Sequence, residues 1–249
     1  MLRSLFMLKV KSPFKPKADT AQISEIFSSI QGEGLCVGEK HLFVRFRSCH
    51  IACTYCDEYD KVDFKDLSVP ELTQGINTLD KERGPHEYVS LTGGEPLLYV
   101  SYLKNLMPQL KREGYSLYLE TSGILHQQLE EVISLCDFIS MDIKLPSVTG
   151  EKDFFKEHEA FLKIAKQKQV FVKIVLSTKT RLEEFLKAVD IISRIDKTIP
   201  LVLQPVTDLK TQELEPGIGD YLANLVSVAK RHLVTVKAIP QTHKWMNIR

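Results

Sequence analysis

Three cysteines stand within eight residues, Cys49, Cys53 and Cys56, in a C-x3-C-x2-C spacing. A loop this short can wrap three thiolates around one metal centre. A closed structural zinc site wants four ligands, and Cys36, His41 or His50 are the residues able to supply the fourth. A four-cysteine iron–sulfur cluster also needs one more cysteine, but Cys36 and Cys136 lie distant in sequence. The natural reading is three ligands and one open iron, to which a cofactor or substrate can bind directly. The remaining cysteines bring the count to five. An odd number, clustered and without a secretory signal, is a poor disulfide framework and points to a reducing compartment, here the cytoplasm.

Other chemistry-bearing residues recur where apolar runs end. Thr92-Gly93-Gly94-Glu95-Pro96, Glu120-Thr121-Ser122-Gly123, Asp142-Ile143-Lys144, Gln204-Pro205 and Gln241-Thr242-His243 each follow such a run. The runs 41–47, 88–91, 117–119, 138–141, 170–176, 199–203 and 233–239 read as strands. Between them the apolar spacing is helical: over 70–78, at Leu103, Leu106, Met107 and Leu110, at Leu125, Leu129, Val132 and Ile133, over 154–165, at Leu182, Phe185, Leu186, Val189 and Ile192, and at Leu222, Leu225, Val226 and Ala229. Pro108 must be accommodated within the second of these, and Gly114 stands where a C-terminal cap is expected. Repeated strand–helix units imply an α/β protein with a parallel sheet. An open doubly wound sheet also fits. Polar clusters at the ends of several strands favour a partial TIM-type (β/α) barrel, because a barrel's strand ends converge on one rim.

With 249 residues the chain is long enough for one sizeable core. Its 33 basic and 32 acidic side chains leave a net charge of +1, which argues against a protein that works by binding nucleic acid through a basic surface. No apolar run approaches the ~20 residues of a membrane span. Residues 1–20 are expected to form a basic N-terminal extension, with a targeting peptide as the minority reading, and residues 21–249 a single core domain.

The cysteine triplet followed by Gly93-Gly94-Glu95-Pro96 resembles the radical S-adenosylmethionine (SAM) superfamily. That resemblance implies a [4Fe–4S] cluster on Cys49, Cys53 and Cys56, with the amino and carboxylate groups of SAM on the open iron. The Gly93-Gly94 pair can bring backbone carbonyls close to the SAM ammonium; it also serves as a tight turn before Pro96.

Three further segments resemble the 7-carboxy-7-deazaguanine synthase family: Phe27-Ser28-Ser29-Ile30-Gln31-Gly32-Glu33-Gly34, Phe43-Val44-Arg45-Phe46-Arg47, and the ending from Gln241 to Arg249. The family converts 6-carboxy-5,6,7,8-tetrahydropterin to 7-carboxy-7-deazaguanine with loss of ammonia, regenerating SAM, with Mg2+ assisting. Its members are typically homodimers with a shortened barrel, and the resemblance implies an external electron donor of flavodoxin or ferredoxin type. On the matching positions, the resemblance places Ile30, Gln31, Gly32, Glu33, Arg45, Thr92, His243 and the carboxylate of Arg249 around the substrate. A pterin's flat edges want paired donors and acceptors, and a guanidinium suits its carboxylate. Arg45 and Arg47 share a strand face, and Arg47 is read as structural. The resemblance gives Gly94, Ser122, Asp142, Ile143, Lys144, Gln204, Pro205, Val206 and Thr207 to SAM. Ser122 equally fits a helix cap. The family commonly has threonine or serine after Cys-Asp, where the hydroxyl binds Mg2+. Here Glu58 follows Cys56-Asp57, either as a carboxylate ligand or as one acid of an acidic loop with Asp60, Asp63 and Asp66.

Two other readings stand beside this one. A glycyl-radical activating enzyme shares the cysteine triplet and the Gly-Gly-Glu-Pro segment but needs a docking groove for a protein. A non-catalytic iron–sulfur or zinc protein needs a closed, four-ligand site.

Overall fold

A computed structural model describes residues 17–58, 63–208, 210–246 and 248. In chain order its elements are β1 (Thr20–Ile30), β2 (Lys40–Phe46), β3 (Lys65–Ser68), α1 (Val69–Arg83), β4 (Tyr88–Gly93), α2 (Val100–Arg112), β5 (Ser116–Thr121), α3 (His126–Val132), β6 (Phe138–Asp142), α4 (Pro146–Thr149), α5 (Phe155–Ala165), β7 (Gln169–Leu176), α6 (Leu182–Asp196), β8 (Leu201–Pro205), α7 (Ile218–Ala229), β9 (Val236–Ala238) and α8 (Thr242–Trp245). The nine strands form one sheet in the order β3-β1-β2-β4-β5-β6-β7-β8-β9. From β2 through β4 to β9 every pairing is parallel, and from β4 on each strand lies beside the next in the chain, the arrangement of a partial (β/α) barrel. Against β2, β1 runs antiparallel, and β3 adds to its outer side.

The sequence expectation found the parallel strands but not β1. Its apolar alternation is broken by a register shift between Ile23 and Glu25, so the strand lacks a clean period of two. The first helix is longer than expected at both ends. A capping box closes its start, Glu71 accepting from the Ser68 backbone N–H at 2.8 Å. Pro108 lies inside α2, where it removes one helical hydrogen bond. The helix is held instead by its buried face of Leu103, Leu106, Met107 and Leu110. Gly114 follows with φ +95°, the left-handed conformation of a helix stop.

Side-chain alternation divides each strand between two environments. Residues such as Val44, Leu91, Leu119, Ile139, Ile174 and Leu203 enter the main core beneath the helices. The opposite parity faces the barrel interior, and there the side chains change along the strand. At the strands' N-terminal ends they are aromatic. His41 stacks on Tyr88 with centroids 4.8 Å apart and meets the edge of Tyr118 at 5.3 Å. Phe138 stacks on Tyr118 at 6.1 Å, and Phe171, Tyr118 and Val202 form a separate buried cluster with Cys36. Two or more residues further along the same faces stand Arg45, Thr92, Glu120, Asp142, Lys173 and Gln204. The interior is thus plugged by aromatics at one end and opens as a polar cavity at the other. Among the described residues no helix is long and apolar enough to cross a membrane.

Candidate active site

The polar end of the barrel is a single cavity. Cys49, Cys53 and Cys56 line it together with Gln31, Arg45, Thr92, Gly94, Ser122, Asp142, Lys144, Gln204 and His243. The cysteine loop is fixed from two directions. Toward β4, the Gly94 N–H donates to Phe46 O at 2.7 Å and the Glu95 N–H to Ser48 O at 2.8 Å. A Cβ on Gly94 would lie 2.2 Å from Ser48 O, so this close approach requires glycine. Toward α4, the Thr54 N–H donates to Thr149 O at 3.0 Å and its hydroxyl to Val148 O at 2.8 Å, while Glu151 accepts from the Ala52 N–H at 2.6 Å.

Glu95 is fully buried and ties the end of β4 to that of β5. Its carboxylate accepts from the Leu97 and Ser122 N–H groups at 3.1 and 2.8 Å, and from the Thr121 and Ser122 hydroxyls. Ser122 is therefore a partner of Glu95 and not a helix cap; the residue preceding α3 is Leu125.

A ladder of opposite charges crosses the cavity floor. Lys144 Nζ lies 2.5 Å from Asp142 Oδ2 and 3.3 Å from the Tyr55 hydroxyl. Lys173 Nζ lies 2.5 Å from Glu33 Oε2 and 3.5 Å from Asp142 Oδ1. Burial alone would raise the Glu33 carboxyl, but the Lys173 ammonium and the Gln241 amide override it and hold it down at about 2. Burial likewise opposes charge on Lys173, and the surrounding carboxylates of Asp142, Glu33 and Glu120 outweigh it, so the ammonium is retained. Glu120 has the opposite fate. Burial pushes its carboxyl up, although it accepts from Gln31 Nε2 and from the Thr92 hydroxyl, each at 2.8 Å.

The C-terminal segment returns across β1. Thr242 donates through both its N–H and its hydroxyl to Gly32 O at 3.0 Å, and Gln241 Nε2 donates to Glu33 Oε1 at 2.7 Å. A Cβ on Gly32 would meet the His243 ring at 2.3–2.7 Å. Lys244 pairs with Asp57 at 3.1 Å, joining this segment to the cysteine loop.

Most residues expected at the site therefore meet in one place, Glu58, Ile30, Val206 and Thr207 included. Ile143 and Pro205 do not bring side chains to it: Ile143 is buried in the helix-side core and Pro205 ends β8 opposite Leu176. Arg249 lies outside the described residues. Arg47 stands over the Phe64 ring at 4.7 Å, away from the cavity lining. Glu120 was placed on the rim but given no role, and Lys173 was missed. A lysine inside the apolar run from Val170 to Leu176 was the available signal, since a charge there must face a polar interior.

The donor set bears on what the cavity can hold. Burial pushes the Cys49 thiol up to about 12 and raises Cys53 and Cys56 as well, so these groups become thiolates when a bound metal displaces their protons to solvent. A single zinc would draw its thiolates to within about 3.8 Å of one another, given Zn–S bonds of ~2.3 Å. A cubane takes each thiolate on a different iron and needs no such convergence. Gln204 Oε1 and Thr207 Oγ1 are buried in the cavity wall without hydrogen-bond partners, as fits a wall that receives a polar ligand.

The radical SAM superfamily pattern matches residues 43–192. A 7-carboxy-7-deazaguanine synthase of Geobacter sulfurreducens is 38% identical over 246 residues, covering 91% of this chain and 97% of that protein. This chain belongs to the 7-carboxy-7-deazaguanine synthase family of the radical SAM superfamily. A relative of the same name from Methanocaldococcus jannaschii is 32% identical, covering 91% and 99% of the two chains. The crystal structure of QueE from Escherichia coli has the same fold, with a TM-score of 0.59 at 19% identity over 87% of this chain and 92% of that one. Membership in the radical SAM superfamily implies a [4Fe–4S] cluster and SAM, and the three-thiol wall with its orphaned polar atoms fits them.

Proposed function

We propose that this enzyme converts 6-carboxy-5,6,7,8-tetrahydropterin to 7-carboxy-7-deazaguanine with loss of ammonia. The observation that carries the reading is the opening of the cysteine triplet and of Arg45 into one cavity. When bound, the cluster and SAM supply a hydrogen-abstracting 5′-deoxyadenosyl radical. In this reading Cys49, Cys53 and Cys56 hold the cluster and leave one iron to SAM. Gly94, Ser122, the stretch from Asp142 to Lys144 and that from Gln204 to Thr207 bind SAM. Ile143 and Pro205, whose side chains face elsewhere, serve through their backbone groups.

Arg45 receives the substrate carboxylate, with the planar fork suited to it. Gln31, Glu33 and Glu120 face the pterin's amide and amine edges. Ionised Glu33 accepts from an amine, and Gln31 presents both a donor and an acceptor. Thr92 and His243 close the sides. Mg2+ belongs to the same reading, with Glu58 as its carboxylate ligand; such an ion keeps several waters and takes one or two carboxylates. The enzyme works in the cytoplasm as a homodimer fed by a flavodoxin- or ferredoxin-type donor.

The test is anaerobic reconstitution followed by incubation with the carboxytetrahydropterin, dithionite and SAM, with mass spectrometry of the products. The deazaguanine acid is expected. SAM cleavage without it would leave a radical enzyme with another substrate, such as a glycyl-radical protein. Comparing turnover with and without Mg2+ for wild type and Glu58→Thr tests the metal; identical ion dependence removes Glu58 from that role.

A further inference from the structure

Arg45 is already engaged. Its Nη1 lies 3.0 Å from Glu58 Oε1, and the guanidinium stands over the Phe27 ring with Cζ 5.4 Å from its centroid. Both side chains are largely enclosed, Arg45 keeping 20% and Glu58 16% of its exposure. Arg45 Nε has no hydrogen-bond partner: Glu25 Oε2 stands 3.6 Å away, too far for one. The two described lysines of the lining are matched as well, Lys144 with Asp142 and Lys173 with Glu33. Among the described residues, an incoming carboxylate therefore meets no lysine or arginine in the lining that lacks a carboxylate beside it.

We propose that Glu58 is an internal competitor for Arg45, which the substrate carboxylate must displace and which returns to help expel the product. The inference rests on the proposed reading of Arg45 as the carboxylate-binding residue. Two carboxylates, Glu25 and Glu58, already surround one guanidinium. A third placed beside them without displacement would face two like charges at close range, which is unfavourable in so enclosed a setting. Displacement is favourable for the right ligand because Glu58 leaves Nε without a hydrogen bond. A carboxylate spanning Nε and an Nη completes the fork that Glu58 does not. Substrate and product both carry a carboxylate, so the competitor weakens both. Weakening the product shortens its stay in a cavity closed at the other end. The pair also gives Arg45 a partner in the empty enzyme, sparing an enclosed charge left alone.

The test is isothermal calorimetry on reconstituted, SAM-bound protein without reductant, in buffer freed of divalent cations. The ligands are 6-carboxytetrahydropterin, 7-carboxy-7-deazaguanine and tetrahydropterin lacking the carboxylate. Glu58→Gln is expected to bind the two acids about tenfold more tightly, a change of about 1.4 kcal/mol, and to leave the uncarboxylated pterin unchanged. Glu58→Asp, one methylene too short to hold the 3.0 Å contact, is expected to tighten both acids by a smaller factor. Its retained charge guards against a folding defect peculiar to the glutamine variant. Unchanged or weaker binding of the acids by both variants, with wild type binding them, overturns the competitor while sparing the proposed substrate. Failure of every form to bind any of the pterins sinks the substrate reading, and the competitor with it.

Discussion

Replacing Glu95 with glutamine tests whether the Gly-Gly-Glu-Pro segment is held by a buried carboxylate. Five contacts converge on its two oxygens: Oε1 accepts from the Leu97 N–H and the Thr121 hydroxyl, and Oε2 from the Ser122 N–H, the Ser122 hydroxyl and the Thr121 hydroxyl. Hydroxyls can rotate to accept from an amide, but backbone N–H groups cannot. Whichever oxygen becomes NH2, one backbone donor is orphaned, at a cost of about 1–3 kcal/mol. The contacts that remain lose charge assistance, about 1 kcal/mol each for two of them. Relief of the carboxylate's desolvation offsets part of this, so a net loss of about 2–4 kcal/mol is expected. For a chain of this length that corresponds to a fall in Tm of roughly 4–16 °C, read by scanning calorimetry of the reconstituted enzyme. SAM affinity is expected to fall with it, because Ser122 and Gly94 lose their shared anchor. A Tm within 2 °C of wild type, with SAM binding intact, would refute the argument that this carboxylate organises the rim.

Three further outcomes follow from other contacts. Lys173→Met leaves Glu33 and Asp142 without their shared cation. About 3–5 kcal/mol of stability should be lost, the range for stripping one partner from a buried pair, and a pH dependence of substrate KM should appear on the acid side as Glu33 rises from about 2. In wild type that carboxylate's contribution is complete above its ordinary 4.5 and is lost as pH falls toward about 2; urea midpoints measured from pH 6 to 3 would show it. His158 is held neutral, burial pushing it down from 6.5 to about 4, while its Nε2 accepts from the Lys144 N–H at 3.0 Å. Its contribution is whole above pH 6.5 and drains away toward pH 4, roughly 3 kcal/mol in all, and His158→Phe should flatten that part of the stability profile. Gly32→Ala drives a methyl into the His243 ring. It should raise the substrate Kd more than tenfold with a Tm change of only a few degrees, since the C-terminal segment is displaced and the core is not; an unchanged Kd would remove His243 from the substrate wall.

The barrel and most of its rim were legible because both rest on local signals. Strand runs alternate with helical spacing, and the cysteines declare themselves by spacing alone. What escaped depends on contacts between distant segments. Nothing near Glu120 in sequence reveals that Gln31 and Thr92 converge on it. The strand β1 was obscured by its own irregularity, and the reading of Ser122 as a cap failed because a carboxylate 27 residues away had taken its hydroxyl. Glu58 was noticed as a departure from the family, but its partnership with Arg45 crosses the cysteine loop, and strand parity says nothing about a loop.

The ring stack of His41, Tyr88, Tyr118 and Phe138 makes the barrel a vessel with a stoppered base. Traffic then queues at one mouth. Whatever lodges deepest must arrive first and depart last, and Gln241 and His243 are among the residues lining that cavity. Ligand exchange in this enzyme is accordingly a matter of sequence as well as affinity, with the outer guest setting the dwell time of the inner one.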